Sequence, residues 1–180
     1  MIQAVARTRS SRRMAARILH VMTIGGMLTA GILCLPASLH AQSPLQVRAV
    51  TGLCFGSILR TGASLVQYYS SNAAMFEVTG EPGADILLKI EASELTQPNG
   101  PAERRPLDLT IVPELCAYST DNGMSWTPFN SRLLWQQVHF PSGGRGPSTI
   151  IVRVGGRVSA HADQHRGNYA GSITLTAVHK

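Results

Sequence analysis

The sequence predicts an all-β protein: an immunoglobulin-like, two-sheet antiparallel β-sandwich behind an N-terminal signal peptide. Three observations predict it. The stretch from Gly167 to Lys180 places Tyr169, Ile173, Leu175 and Ala177 on one face and Ser172, Thr174 and Thr176 on the other, the alternation that a half-buried strand requires. Short apolar runs of the same kind recur along the chain, divided by glycine- and proline-rich turns, as in sandwiches. Beyond residue 41 almost no segment carries the helical period of about 3.6 residues.

The leader comes first in the chain. Arg7, Arg9, Arg12, Arg13 and Arg17 form a basic region without an acid, Val21 to Leu35 is apolar, and Pro36, Ala37, Ser38 and Ala41 are small or helix-ending. This is the layout of a secretory signal peptide, helical and removed on export, with cleavage expected after Ala41. The competing reading is an uncleaved anchor, since Ile18 to Leu35 approaches spanning length. His20, Thr23, Thr29 and several glycines inside the stretch favour cleavage. Residues 1–41 are thus read as signal peptide and 42–180 as one pilin-like β-sandwich domain.

Within that domain the strands follow in order. Leu45 to Ala49 alternates, Leu53 to Leu59 is a second run, and Leu65 to Tyr69 and Met75 to Thr79 come next. Ala84 to Glu91 puts Ile86, Leu88 and Ile90 on one face. Thr96 to Pro106, with three prolines and an Asn-Gly, interrupts the pattern as an exposed loop. Strands resume at Leu107 to Ile111, Leu115 to Ser119 and Leu134 to Phe140, and a glycine-rich loop spans Pro141 to Pro147. Thr149 to Val154, Arg157 to Ala160 and Tyr169 to Val178 complete the set.

Charge narrows the function classes. The leader holds five of the 16 basic residues and none of the 10 acidic ones, so residues 42–180 carry 11 against 10, a net +1. The high pI belongs to the leader, and nucleic-acid binding loses its support, because such binding needs a basic stripe on the folded domain. The remaining 139 residues suffice for a single core.

Four segments in order carry a resemblance: Leu53-Cys-Phe-Gly-Ser-Ile58, Phe76-Glu-Val-Thr-Gly-Glu-Pro-Gly-Ala84, Val154-Gly-Gly-Arg-Val158 and Gly167-Asn-Tyr-Ala-Gly-Ser-Ile-Thr-Leu-Thr176. Together they are similar to the bacterial secreted family called domain of unknown function 4402. The resemblance implies a pilin-like, immunoglobulin-like sandwich acting at the cell surface, with no catalytic residues to carry over. The chain ends Val178-His179-Lys180 where that family usually places an aromatic, and its cysteine pair is not a family hallmark.

The glycines of these segments, Gly56, Gly80, Gly155, Gly167 and Gly171, interrupt strands where a bulge or a close approach would exclude a Cβ. A phosphate cradle would need a helix after Val154-Gly155-Gly156, and none is predicted. Cys54 and Cys116 are the two cysteines outside the leader. In an oxidising compartment they are expected to pair, closing a loop of about 60 residues and stabilising the fold by roughly 4 kcal/mol; the alternative is two buried thiols.

Ser119 to Trp126 matches the Asp-box pattern of sialidase-type propellers. One copy cannot make a propeller. Physically it is a hairpin stabiliser, in which Asp121 accepts from turn amides, Gly123 permits positive φ and Trp126 packs beneath. His161, Asp163 and His165 have ligand chemistry at alternate positions, but they sit in a polar loop and no metal or other cofactor is expected. No nucleophile elbow or His-Glu-x-x-His motif is present.

The functional expectation is a secreted cell-surface subunit of fimbria or pilus type, without catalytic activity, found in the periplasm, at the cell surface or outside the cell. Its partners would be copies of itself or other pilin-like subunits and an assembly chaperone, with the membrane met only through the signal peptide. The assembly strands are those of Leu45, Val47 and Ala49 and of Tyr169, Ile173 and Leu175. The first can be this chain's own strand or a donor to a neighbour, and the closeness of Gly52 and Leu53 favours its own. The competing function is a monomeric binding module that contacts a glycan or protein through the 96–106 and 141–147 loops.

Overall fold

The computed structural model describes residues 3–8, 44–98, 100, 105–130, 134–144 and 146–180. Most of the expected signal peptide, including its cleavage point, lies outside the described residues. Among those described, no helix is long and apolar enough to cross a membrane.

The fold is all-β. Its strands are β1 (Gln3–Thr8), β2 (Gln46–Thr51), β3 (Ala63–Val66), β4 (Ala74–Gly80), β5 (Asp85–Ala92), β6 (Asp108–Thr110), β7 (Cys116–Ser119), β8 (Thr127–Pro128), β9 (Gln136–His139), β10 (Ser148–Val154), β11 (Gly156–Ser159) and β12 (Ser172–His179). A 3₁₀ turn, Pro113–Leu115, leads into β7. One sheet runs β1-β12-β5-β9, the second β2-β4-β10-β7-β8, and a small third β3-β11-β6. Every pairing is antiparallel except β1 with β12.

Alternation builds the core. β4 buries Ala74, Phe76 and Val78, β10 buries Ile150, Val152 and Val154, β5 buries Ile86 and Leu88, and β12 buries Ile173, Leu175 and Ala177. These side chains meet in one cluster between the sheets. Each large one contributes about 1.5–3 kcal/mol relative to an exposed position, so the sandwich is held mainly by these inward rows.

Gly155 joins the second sheet to the third. It lies between β10 and β11, and its N–H donates to the Leu115 carbonyl at 2.9 Å. A Cβ there would stand 2.2 Å from the Val66 carbonyl oxygen and 2.7 Å from that of Leu115. Glycine alone lets one run of chain pass from one sheet to the other at this closeness.

The structure departs from the sequence expectation at several points, among them the strand expected over Leu65 to Tyr69, which runs from Ala63 to Val66. Leu53 to Leu59 is not a strand: Gly56 has φ +67°, which breaks the extended backbone, and the Cys54 N–H bonds the Asn72 carbonyl rather than a ladder partner. The last strand begins at Ser172, because Ser93 captures the Ser172 N–H with its hydroxyl, and Tyr169 stays in the preceding loop. The two-residue β8 pairs with β7. Finally, Gln3–Thr8 is a strand rather than part of a helical leader, since the outer edge of β12 offers backbone groups to pair with.

Candidate assembly edge and ligand cleft

β12 is the centre of the first candidate site. Its inner edge pairs with β5 from Ile173↔Ala92 to His179↔Ile86. Its outer edge pairs in parallel with β1, from Gln3↔Ser172 to Thr8↔Ala177. Ile173 and Leu175, both assigned to an assembly strand, are fully buried core residues. What β12 presents outward is therefore backbone, not an apolar face.

The other expected assembly strand belongs to the domain itself. β2 pairs antiparallel with β4, with Val47 opposite Val78 and Ala49 opposite Phe76, and a bulge before Thr51. Leu45 is buried just ahead of it, while Val47 and Ala49 pack against the core. Arg48 reinforces the pairing through a 2.6 Å contact to Glu77.

Cys54 and Cys116 do not form the expected disulfide; both are free. Cys116 faces the core from β7 with its Sγ 3.6 Å from the Val112 carbonyl, and burial pushes its pKa up to about 12. Cys54 is exposed in the irregular segment that replaces the expected strand. One thiol points into the core and the other to solvent, so neither the pair nor two buried thiols describes them.

The Asp-box forms the β7–β8 hairpin. Asp121 accepts from the Ser119 hydroxyl at 2.7 Å, from the Ser125 N–H at 2.9 Å and from the Ser125 hydroxyl. The Gly123 N–H donates to Ser119 Oγ at 2.7 Å. The Ser125 hydroxyl and amide, then Ser119, hold the Asp121 pKa down to about 2. Trp126 lies under the turn, with the Arg153 guanidinium 5.5 Å from its ring centre and Tyr68 at 6.2 Å.

The histidine cluster is dispersed. His161 Nε2 is 2.6 Å from Asp108, Asp163 pairs with Arg105 at 3.5 Å, and the His165 carbonyl accepts from the Tyr169 hydroxyl. No group of three metal-ligating side chains gathers among the described residues.

A second site, which the sequence did not reveal, lies between the 53–60 segment and the 164–169 loop. It is an open cleft of about 710 Å³, with buried Leu53, Leu95 and Leu107 among its lining residues. Gln164 joins them, only 4% exposed. Its Nε2 donates to the Arg105 carbonyl at 2.8 Å and to the Tyr169 hydroxyl at 2.7 Å, and that hydroxyl donates to the His165 carbonyl at 2.8 Å. Its Oε1 has no partner among the described residues. Gln164 stands in a polar run that reads as solvated loop, so only the fold exposes its role.

Residues 50–179 match the family described as "Domain of unknown function (DUF4402)". The chain belongs to this family. The match runs from the last two residues of β2 to the end of β12 and covers all four segments that carry the resemblance. No curated protein and no solved structure matches the chain.

Proposed function

We propose that this DUF4402 protein is an exported, non-catalytic surface subunit of fimbria type, which accepts a strand along the outer edge of β12. The observation that supports this is the β1–β12 pairing: the edge is filled over six residues by a segment that lies within the expected signal peptide. Cleavage near Ala41 removes that segment. The exported domain then carries Ser172 to Ala177 with one row of backbone donors and acceptors open, the template on which strand addition works. β2 stays with its own domain, so the incoming strand comes from a neighbouring chain.

The test is the size of the exported protein, purified from the periplasm at rising concentration, with its N-terminus sequenced. The expected result is a start near Gln42 and oligomers, or complexes with co-purifying subunits. A monomer at every concentration, with no companion, would remove the proposal. The second reading, a monomeric extracellular binding module, would then stand, and the cleft beside Gln164 is the observation that favours it.

A further inference from the structure

We propose that the cleft between residues 53–60 and 164–169 binds an acidic sugar, a hydroxylated ring carrying a carboxylate. The inference is independent of assembly along β12. A buried amide oxygen without a partner is costly to keep, and here both Nε2 protons are already committed, to Arg105 and Tyr169. The amide cannot turn to relieve Oε1 without breaking those two bonds. Gln164 is therefore a fixed side chain in the cleft wall, with one buried acceptor left over for a ligand that donates, as a hydroxyl does.

The rest of the cleft sets the remaining chemistry. Phe55, Ile58 and Tyr169 supply partly buried apolar surface, on which the C–H face of a sugar ring can lie. Arg60 and Arg166 line the cleft as exposed side chains, and neither makes an ion pair among the described residues. Arg105, by contrast, is taken by Asp163. A guanidinium fork matches a carboxylate in shape and charge. The volume of about 710 Å³ lies within the range of about 300–1,000 Å³ for small-molecule sites and admits a short oligosaccharide.

Cys54 lines the same cleft and supplies the readout. The probe is a uronic-acid disaccharide, compared with its neutral counterpart and with acetate, by calorimetry and by the rate of Cys54 alkylation in the folded protein. The expected result is a millimolar or tighter dissociation constant and slowed alkylation, with the neutral disaccharide at least about tenfold weaker. Gln164→Leu should weaken binding about tenfold. Arg60→Ala with Arg166→Ala, both at exposed positions, should weaken it similarly without moving the melting temperature, which keeps the test decisive if Gln164→Leu fails to fold. No binding up to about 50 mM, equal binding of the neutral sugar, or equal protection by acetate would each overturn the proposal.

Discussion

The carbonyl oxygen of Val66 lies 2.2 Å from the place a Cβ on Gly155 would occupy. Val66 is itself paired to Gly156 in the β3–β11 ladder, so that oxygen cannot retreat without breaking the third sheet. Gly155→Ala should destabilise the protein by at least about 3 kcal/mol, read as a fall in the urea midpoint. Gly146→Ala, where a Cβ meets nothing within 4 Å, should change little. A Gly155→Ala protein as stable as the parent would contradict the close approach of β10 and β11 to their neighbours.

The two thiols should behave differently. Cys54 is exposed and Cys116 is buried with its pKa raised to about 12, and thiol reactivity follows access and thiolate content. Exported protein cleaved after Ala41, which lacks Cys34, should take up one equivalent of maleimide when folded and two when denatured without reduction. Mass spectrometry locates the first at Cys54. Absence of any reactive thiol in denatured protein would restore the disulfide.

Asp121 should make the hairpin sensitive to strong acid. Its folded pKa of about 2 lies below the ordinary 3.8, so the stability it contributes is fully present above 3.8 and is lost as pH falls through about 2. The Gly123 and Ser125 amide resonances should titrate near the lower value. In Asp121→Asn the pH dependence of stability across this window should flatten; an amide midpoint at 3.8 would show that the carboxylate is not held by Ser119 and Ser125. Ser119→Ala, at a 2% exposed side chain, removes both the acceptor of the Gly123 N–H and a donor to the Asp121 carboxylate and should cost about 1–3 kcal/mol.

Deleting residues 42–50 removes Leu45 from the core and most of β2 from β4. The truncated exported protein should be poorly soluble or much less stable, and a free peptide of the deleted sequence should restore it. Full stability without the peptide would instead make the segment a donor for another chain.

How much of this could be read from the chain depends on whether a residue's neighbours repeat its pattern. β4, β5, β10 and β12 were legible because each buries alternate apolar residues against a full strand on at least one side. Leu53 to Leu59 has the same composition, yet Gly56 turns the backbone and several of its side chains line a cleft, which composition cannot distinguish from a core. The cysteine pairing failed for a related reason: placement in separate runs carries no information on whether two thiols face each other. Gln164 was invisible among Asp163, His165 and Arg166, since nothing local marks a glutamine that tertiary structure will bury. Parity puts Tyr169 on a strand face, whereas in the fold its hydroxyl accepts from that glutamine. The Asp-box was the opposite case, a short-range network whose every partner lies within a few residues, and its hairpin formed as the spacing implied.

The placement of β2 and β12 in different sheets has a mechanical consequence. Tension applied between the two ends of the domain cannot run along a single hydrogen-bonded ladder; it has to cross from one sheet to the other through the packed side chains of Phe76, Val78, Ile173 and Leu175. A pull on the chain is thereby converted into sliding of two interlocked apolar layers. Resistance to force is then set by how tightly those layers interdigitate, so a core substitution such as Phe76→Ala would weaken the protein under stretch even where its surface is untouched.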